Sequence, residues 1–413
     1  MSNTSYLHHV YQIRGFKHVS TQYVGDDVLF HIRHADSHIR CPECRTAGVV
    51  KNGTRKRTFR LPPAGHRRLS VTLPVQRVVC RQCHFDGQLP VPFAEQGASY
   101  SKGFARYARD LLRFGTIDHV AKHLGVGWDM IKDIHKADLK KRFDKPSLKS
   151  LSAIAIDEFY AGPKTKYYTF VLDIKSGAVV YVGKGKGSEA LEGFWKCLAP
   201  YKDNIAAVAM DLSPAFISAV RANLPNADLV FDPFHVMKLM NDKLDQLRRE
   251  LWNNAPAESR VFIKNSRWIL LKGCENLSEK PNPKHDNKTE RQRLDDALAY
   301  NQPLAAAYYL KEALRLLWKQ PGKLTGKAYL ESWMAKAEAS GIEQMAKMAE
   351  SLRRHQDGIL AYFDHRITSG PMEAVNAKVR VMQRQTYGLR DQEFFALKVK
   401  SLHECSARLV GAR

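Results

Sequence analysis

The stretch Ser152-Ala153-Ile154-Ala155-Ile156 is small or apolar throughout and stops at two carboxylates, Asp157 and Glu158. A short run without alternation reads as a buried central strand that delivers an acid to its end. The construction recurs twice: Ile205 to Met210 is apolar and Asp211 follows, and Leu229-Val230-Phe231 ends at Asp232. Between the first two runs, Lys166 to Ile174, the polar Lys175-Ser176-Gly177 and Ala178 to Val182 predict a hairpin. Ser188 to Leu198 places Leu191, Phe194, Trp195 and Leu198 on one helical face. Ser213-Pro214 and Asp232-Pro233 each open a helix in the cap-then-proline order. This alternation predicts an α/β fold, a mixed sheet with helices over it. If the strands ending at Asp157 and Asp211 are parallel neighbours, a right-handed crossover brings both acids to one edge.

The flanking regions have a different texture. Residues 1–90 are rich in Val, Thr, Phe and Arg, with short alternating runs such as Val28-Leu29-Phe30-His31-Ile32. Pro90 to Gly97 reads as a linker. Tyr100 to Phe143 is helical in pattern, with breaks at Gly115 and at Gly125-Val126-Gly127. Thr116 to Ile131 has the layout of a helix-turn-helix: Thr116 caps, Val120, Ala121 and Leu124 form a buried stripe, and Gly125 permits a sharp turn. A second helix from about Trp128 would offer Lys132 and Lys136 to DNA; structural packing of a helical pair is the plainer alternative. Phe234 to Ala361 shows no convincing strand and reads as a helical insertion, broken at Pro281 to Pro283 and at Gln320-Pro321-Gly322. Thr368-Ser369-Gly370-Pro371-Met372-Glu373 then starts a new helix, and Asp391 to about Leu409 is another. The expected divisions are 1–92, 93–148, 149–235, 236–362 and 363–413, the third and fifth forming one discontinuous domain.

Composition narrows the partners. A chain of 413 residues allows roughly three domains, and 44% hydrophobic content permits a real core. The formal charge of +23 attracts polyanions, of which nucleic acid is the commonest large one. No apolar run approaches a membrane span, and the N-terminus lacks a signal-peptide pattern. The expected location is the cytoplasm, associated with the nucleoid. Of seven cysteines, four form the pairs Cys41-Pro-Glu-Cys44 and Cys80-Arg-Gln-Cys83. Two such knuckles complete a tetrahedral structural Zn²⁺ site. The 35 residues between them leave room for an extra hairpin; His66 and His84 are weaker candidates as ligands. Arg55, Lys56, Arg57, Arg60, Arg67 and Arg68, with no acid among residues 55–68, fit a phosphate-gripping loop or a solvated basic face.

Three acids at strand ends and at a helix start suggest phosphoryl transfer with divalent cations. Two ions roughly 3.5–4 Å apart need shared carboxylates, and Mg²⁺ takes few protein ligands, with Mn²⁺ a workable substitute. The same residues have plainer readings. Glu158 could serve in place of Asp157, Asp211 could cap a turn, and Glu373 could bond first-turn amides.

The order of cysteine knuckles, helix-turn-helix, "AIDEFY", "AMDLSPAF", "FDPFHVMK", "RWILLKGCENL" and "SGPMEAVNAKVRVMQRQTYGLRDQEFF" resembles bacterial insertion-sequence transposases of the DDE type, the family called "ISL three". The resemblance spans essentially the whole chain. It implies an RNase H-like catalytic domain with a helical insertion and an Asp157, Asp211, Glu373 triad holding two Mg²⁺. Asp232 and His235 match a D-x-x-H element read as supporting the site. The implied reaction is nicking at the element's ends followed by 3′-hydroxyl attack on target DNA. The implied partner is double-stranded DNA, both element ends and target, and two-ended substrates favour a dimer or larger assembly. The competing readings are a zinc and helix-turn-helix regulator without catalysis, and a structure-specific nuclease with the same triad. Trp268 and Trp318 of the insertion read as core residues, with stacking on an unpaired base as the alternative.

Overall fold

In the computed structural model, residues 3–163, 166–256, 260, 263, 266–299, 301–386 and 391–403 are described. They divide into two units, meeting in sequence at Asp144 and Lys145. In the first, helix α1 (Asn3–His9) precedes β1 (Phe16–Val24), β2 (Asp27–His34), β3 (Val49–Ala64), β4 (Arg67–Cys80) and β5 (Asp86–Gln88). The strand order is β1-β2-β4-β3, with β5 also on β4. Leu69, Val71, Leu73 and Val75 alternate along β4 and are buried against Phe30, Phe59 and Leu61, which is why this strand lies between partners. The extra hairpin between the cysteine pairs is β3–β4, paired antiparallel from Val49↔Cys80 to Ala64↔Arg67.

Pro90 to Gly97 is not a free linker. Phe93 and Ala94 are buried, and the Phe93 ring meets Phe59 edge-on at 5.2 Å. Apolar residues within a Pro-rich stretch kept it on the core. Then come α2 (Lys102–Leu111), α3 (Ile117–Leu124) and α4 (Trp128–Phe143). Thr116 accepts from the His119 amide at 3.2 Å. Gly125 takes the left-handed conformation (φ 61°) that ends α3, a backbone state that disfavours residues with a Cβ.

The second unit holds β6 (Ala153–Gly162), β7 (Lys166–Asp173), β8 (Val179–Lys184), α5 (Glu192–Leu198), β9 (Ala207–Met210), α6 (Pro214–Asn223) and β10 (Asp228–Phe231). Its sheet order is β10-β9-β6-β7-β8. The three strands β6, β7 and β8 are antiparallel, while β9 and β10 run parallel to β6. This is the RNase H-like arrangement. Helices follow as α7 (Pro233–Asn254), α8 (Arg267–Leu271), α9 (Glu290–Ala299), α10 (Gln302–Arg315), α11 (Lys323–Ala339), α12 (Glu343–Arg354), α13 (Gln356–Leu360) and α14 (Tyr362–His365). The chain then returns through α15 (Gly370–Gln385) and α16 (Gln392–Lys400). The proposed extension of the last helix towards Leu409 lies outside the described residues.

Both sheet faces are covered, which explains the unbroken apolar runs. Ile154, Ile156, Val208 and Met210 join a core with Phe216, Val236 and Met240. Ala155, Phe159 and Ala209 join another with Met372, Val375, Val379 and Phe395. The insertion meets the sheet closely at Gly358, where an added Cβ would lie 2.4 Å from the Phe231 ring. Gly358→Ala is therefore expected to lower stability by about 1–3 kcal/mol through overpacking, read by thermal denaturation of the full chain. An unchanged melting temperature would mean that the helix–strand contact is looser than it stands here.

Candidate active site and metal centre

Strand parity decides which side chains meet. Successive residues point to opposite faces, so Asp157 shares a face with Ala155 and Phe159. Asp211, just past β9, shares the parity of Ala207 and Ala209. The residues Ala155, Phe159 and Ala209 pack against α15. The parallel register Ala153↔Ala207, Ile154↔Val208, Ala155↔Ala209 stops there; Asp211 follows the last residue of β9, but Asp157 does not end its strand, because β6 stays paired with β7 through Gly162. Asp157 and Asp211 are near enough to feel each other's charge. Asp157 meets the helix that carries Glu373 through Asn376, while Asp211 faces His235 and Lys238 of α7.

Asp157 is held at both oxygens. Its Oδ1 accepts from the Glu158 amide and its Oδ2 from the Asn376 side-chain amide, each at 2.8 Å. Burial pushes its pKa up and the Asp211 charge adds to this, while those hydrogen bonds and the neighbouring His235 act in the opposite direction. Glu158, also raised by burial and by Asp211, feels Lys186 as its counter-charge. It points to the opposite face from Asp157, so the two adjacent carboxylates do not share one position. Asp211 accepts from the Ser213 amide at 3.0 Å, the turn-capping role that its spacing allowed.

Asp232 is buried and fully engaged. Its Oδ1 accepts from the Phe234 amide at 2.7 Å, capping α7, and its Oδ2 accepts from the Ser369 hydroxyl at 2.7 Å. It therefore latches the start of α15 to the end of β10. Glu373 is exposed on the first turn of α15, three residues before Asn376, and residues so spaced are neighbours on a helix surface. The three carboxylates are not drawn within 4.8 Å of one another; repulsion between like charges acts in that direction. Oxygen donors of this kind suit a hard divalent cation. Asn376 went unnoticed in the sequence, although its place one turn after Glu373 was a usable signal.

The four cysteine sulfurs lie within 4.8 Å of one another. Cys41 Sγ is 3.4 Å from Cys83 Sγ, and Cys44 Sγ is 3.5 Å from Cys80 Sγ. Each knuckle ends on a left-handed residue, Arg45 (φ 60°) and His84 (φ 58°), which turns the chain back. The backbone amides of Cys83 and Gln82 hold the Cys80 thiol down to about 7, favouring its thiolate, while the neighbouring Cys41 thiol helps push Cys83 up to about 12. Four soft donors in a closed cluster fit structural Zn²⁺. His66 and His84 are exposed and outside the cluster. A second acidic cluster, Cys274, Glu275 and Glu312, is neutralised by Arg315, which contacts both carboxylates, and by Lys311, 2.7 Å from Glu312.

The basic run lies on strands and the connecting turn, and its members differ. Arg57 donates to the Ala98 carbonyl (2.7 Å) and Arg60 to that of Leu124 (3.0 Å), while Arg68 pairs with Asp27 (2.7 Å). These three tie the first unit together. Arg55 and Lys56 are exposed, as is Arg67, whose guanidinium lies over the Tyr23 ring. Lys132 lies over the Trp128 ring at 5.6 Å, and Lys136 follows it by one turn on α4. Trp318 packs against the core as expected, but Trp268 does not: it is 68% exposed, with the Arg267 guanidinium 4.9 Å above its ring. The apolar neighbours that suggested burial, Ile269 and Leu270, point inward in its place. Among the described residues, no helix is long and apolar enough to cross a membrane.

Comparison with known proteins agrees with this architecture. A family model described as "Transposase", of the ISL3 type, matches residues 154–399. A second, described as the zinc-finger of transposase IS204/IS1001/IS1096/IS1165, matches residues 37–83. The chain is 29% identical over 390 residues to the transposase for insertion sequence element IS1001 of Bordetella parapertussis, covering 93% of each chain. It is 28% identical over 404 residues to the transposase for element IS1557 of Mycobacterium tuberculosis, covering 92% of this chain and 89% of the relative. With the sheet, the cysteine cluster and more than half the chain in agreement, the protein belongs to the ISL3 family of insertion-sequence transposases.

Proposed function

We propose that this transposase binds the terminal inverted repeats of its element, nicks the DNA there and joins the freed 3′-hydroxyl to target DNA. The observation carrying the reading is the parallel β6–β9 pair, beyond which Asp157 and Asp211 follow and feel each other's charge, with Asp157 bonded to Asn376 of the helix that bears Glu373. Asp157, Asp211 and Glu373 are the residues proposed to hold two Mg²⁺, or Mn²⁺ in its place. Bound there, the ions would stabilise charge on the attacking and leaving oxygens of an in-line displacement.

The chain's own groups prepare that chemistry. Asn376 and the Glu158 amide fix the Asp157 carboxylate and favour its charged form, and the Asp232 latch sets where α15 begins. In the first step water attacks a phosphodiester, the P–O3′ bond breaks, and the 3′-oxygen leaves with a proton. In the second, that 3′-oxygen attacks a target phosphodiester and expels another 3′-oxygen. Both steps exchange one P–O bond for another, so a single set of acids serves both.

The zinc module and the helix-turn-helix, through Arg55, Lys56, Arg67, Lys132 and Lys136, are proposed to grip the ends. Arg57, Arg60 and Arg68 support them from within the fold. Two ends handled together favour a dimer or larger assembly, acting at the nucleoid in the cytoplasm. The test is a strand-transfer assay with duplexes of the element's own ends and Mg²⁺. Joined products are expected. Cleavage without joining would indicate a nuclease, and binding indifferent to Mg²⁺ with no cleavage would indicate a regulator.

A further inference from the structure

Beside Asp211 lies a cleft of about 360 Å³ whose other walls are Leu212 and Ser213 after β9 and residues of α7 and the end of α12. His235, Lys238 and Asp242 line it from one face of α7, and Ser351 and His355 from the end of α12. We propose that this cleft takes a single deoxynucleotide of the strand being cut, turned out of the duplex. Lys238 would meet its phosphate, and Asp242, Ser351 and His355 would line the edge of its base. The proposal rests on reading Asp211 as part of the reacting centre.

Size is the first argument. The volume is at the lower end of the range for small-molecule sites, suited to one nucleotide and too small for a stacked base pair. Position is the second: with a phosphodiester at Asp211, the adjoining nucleotide is the part of the substrate that reaches the cleft. Chemistry is the third. Lys238 and Asp242 are one turn apart, yet among the described residues they form no salt bridge with each other or with another group, and both are exposed to a ligand.

His355 is a fixed group. Its ring meets Phe231 edge-on at 5.3 Å, and Phe231 is itself pressed by Gly358. Burial, with Arg354 and Arg221 nearby, lowers its pKa. A neutral imidazole offers one N–H and one acceptor, a match to a base edge. The insertion would then serve as a wall of the reaction site that selects an unstacked substrate.

The experiment uses the full chain and the element's own end as a duplex, with 2-aminopurine placed in turn on each side of the cut phosphate. Binding is expected to raise fluorescence at one of the two positions in the parent. Lys238→Ala and Asp242→Asn, both at exposed positions, are expected to lose that rise and to nick the paired duplex about tenfold more slowly. A mismatch at the everted position should restore most of the rate. No rise at either position in the parent, parental nicking by both variants, or a loss that a mismatch does not relieve would each overturn the proposal. Asp157→Asn separates the two ideas: it should keep the rise while failing to nick. If Asp157→Asn nicks, the acidic centre has been misread, and the fluorescence still judges the cleft.

Discussion

Asp157→Asn is expected to bind the element's ends as tightly as the parent and to nick them about a thousandfold more slowly or worse. A carboxylate that positions a divalent cation supports several kcal/mol of transition-state charge stabilisation, and each 1.36 kcal/mol is tenfold in rate. The amide is nearly isosteric but brings no charge. Stability provides the control. Burial raises the pKa of Asp157 in the folded chain, so the folded state binds that proton more tightly than the unfolded one. Above the folded pKa the ionised group therefore weakens folding, and below the unfolded pKa this cost is absent. At neutral pH and without divalent cations, Asp157→Asn should melt at the parental temperature or higher. A variant that is at least as stable, binds DNA and does not cut has lost chemistry and kept its fold. Glu373→Gln should match it in activity, with little change in melting because Glu373 is exposed. Near-parental nicking by either variant would remove that residue from the proposed triad.

The parts of this architecture that were legible in the sequence are those where local pattern and tertiary role coincide. Apolar runs ending in acids were visible because β6 and β9 are buried on both faces, as are Val230 and Phe231 of β10. Thr116 and Gly125 announced their turns because a cap and a left-handed residue are local requirements. The cysteine pairs were legible because each knuckle is itself a tight turn. What escaped depends on contacts between distant segments. Arg57, Arg60 and Arg68 look like Arg55 and Lys56 in the sequence, and only folding gives the first three protein partners. Asp232 could be recognised as a helix cap, but its bond to Ser369, 137 residues away, could not. Helix α1 was missed because it is short, although Leu7 is buried. Trp268 was read inward because hydropathy does not separate a core tryptophan from one on an exposed helix face.

Cys41→Ser is expected to reduce bound zinc from about one ion per chain to a small fraction of that, and to loosen the first unit while leaving the second folded. Binding of structural zinc contributes on the order of 10–16 kcal/mol, comparable to the whole stability of a typical domain. The knuckles sit where that contribution matters, because Val49 pairs with Cys80 and the cluster clips the open end of the β3–β4 hairpin. Without the clip, the hairpin keeps Phe59, Val71 and Leu73 in its core but has no fixed open end, so limited proteolysis should begin between residues 41 and 83. The β6–β10 sheet has a separate core and should resist the protease as it does in the parent. If the zinc module grips the element's ends, their dissociation constant should rise with the loss of metal, whereas Ser substitution at the exposed Cys197 should change neither. Parental zinc content in Cys41→Ser would rule out four-thiolate coordination, and normal end affinity with zinc absent would move recognition onto the helix-turn-helix alone.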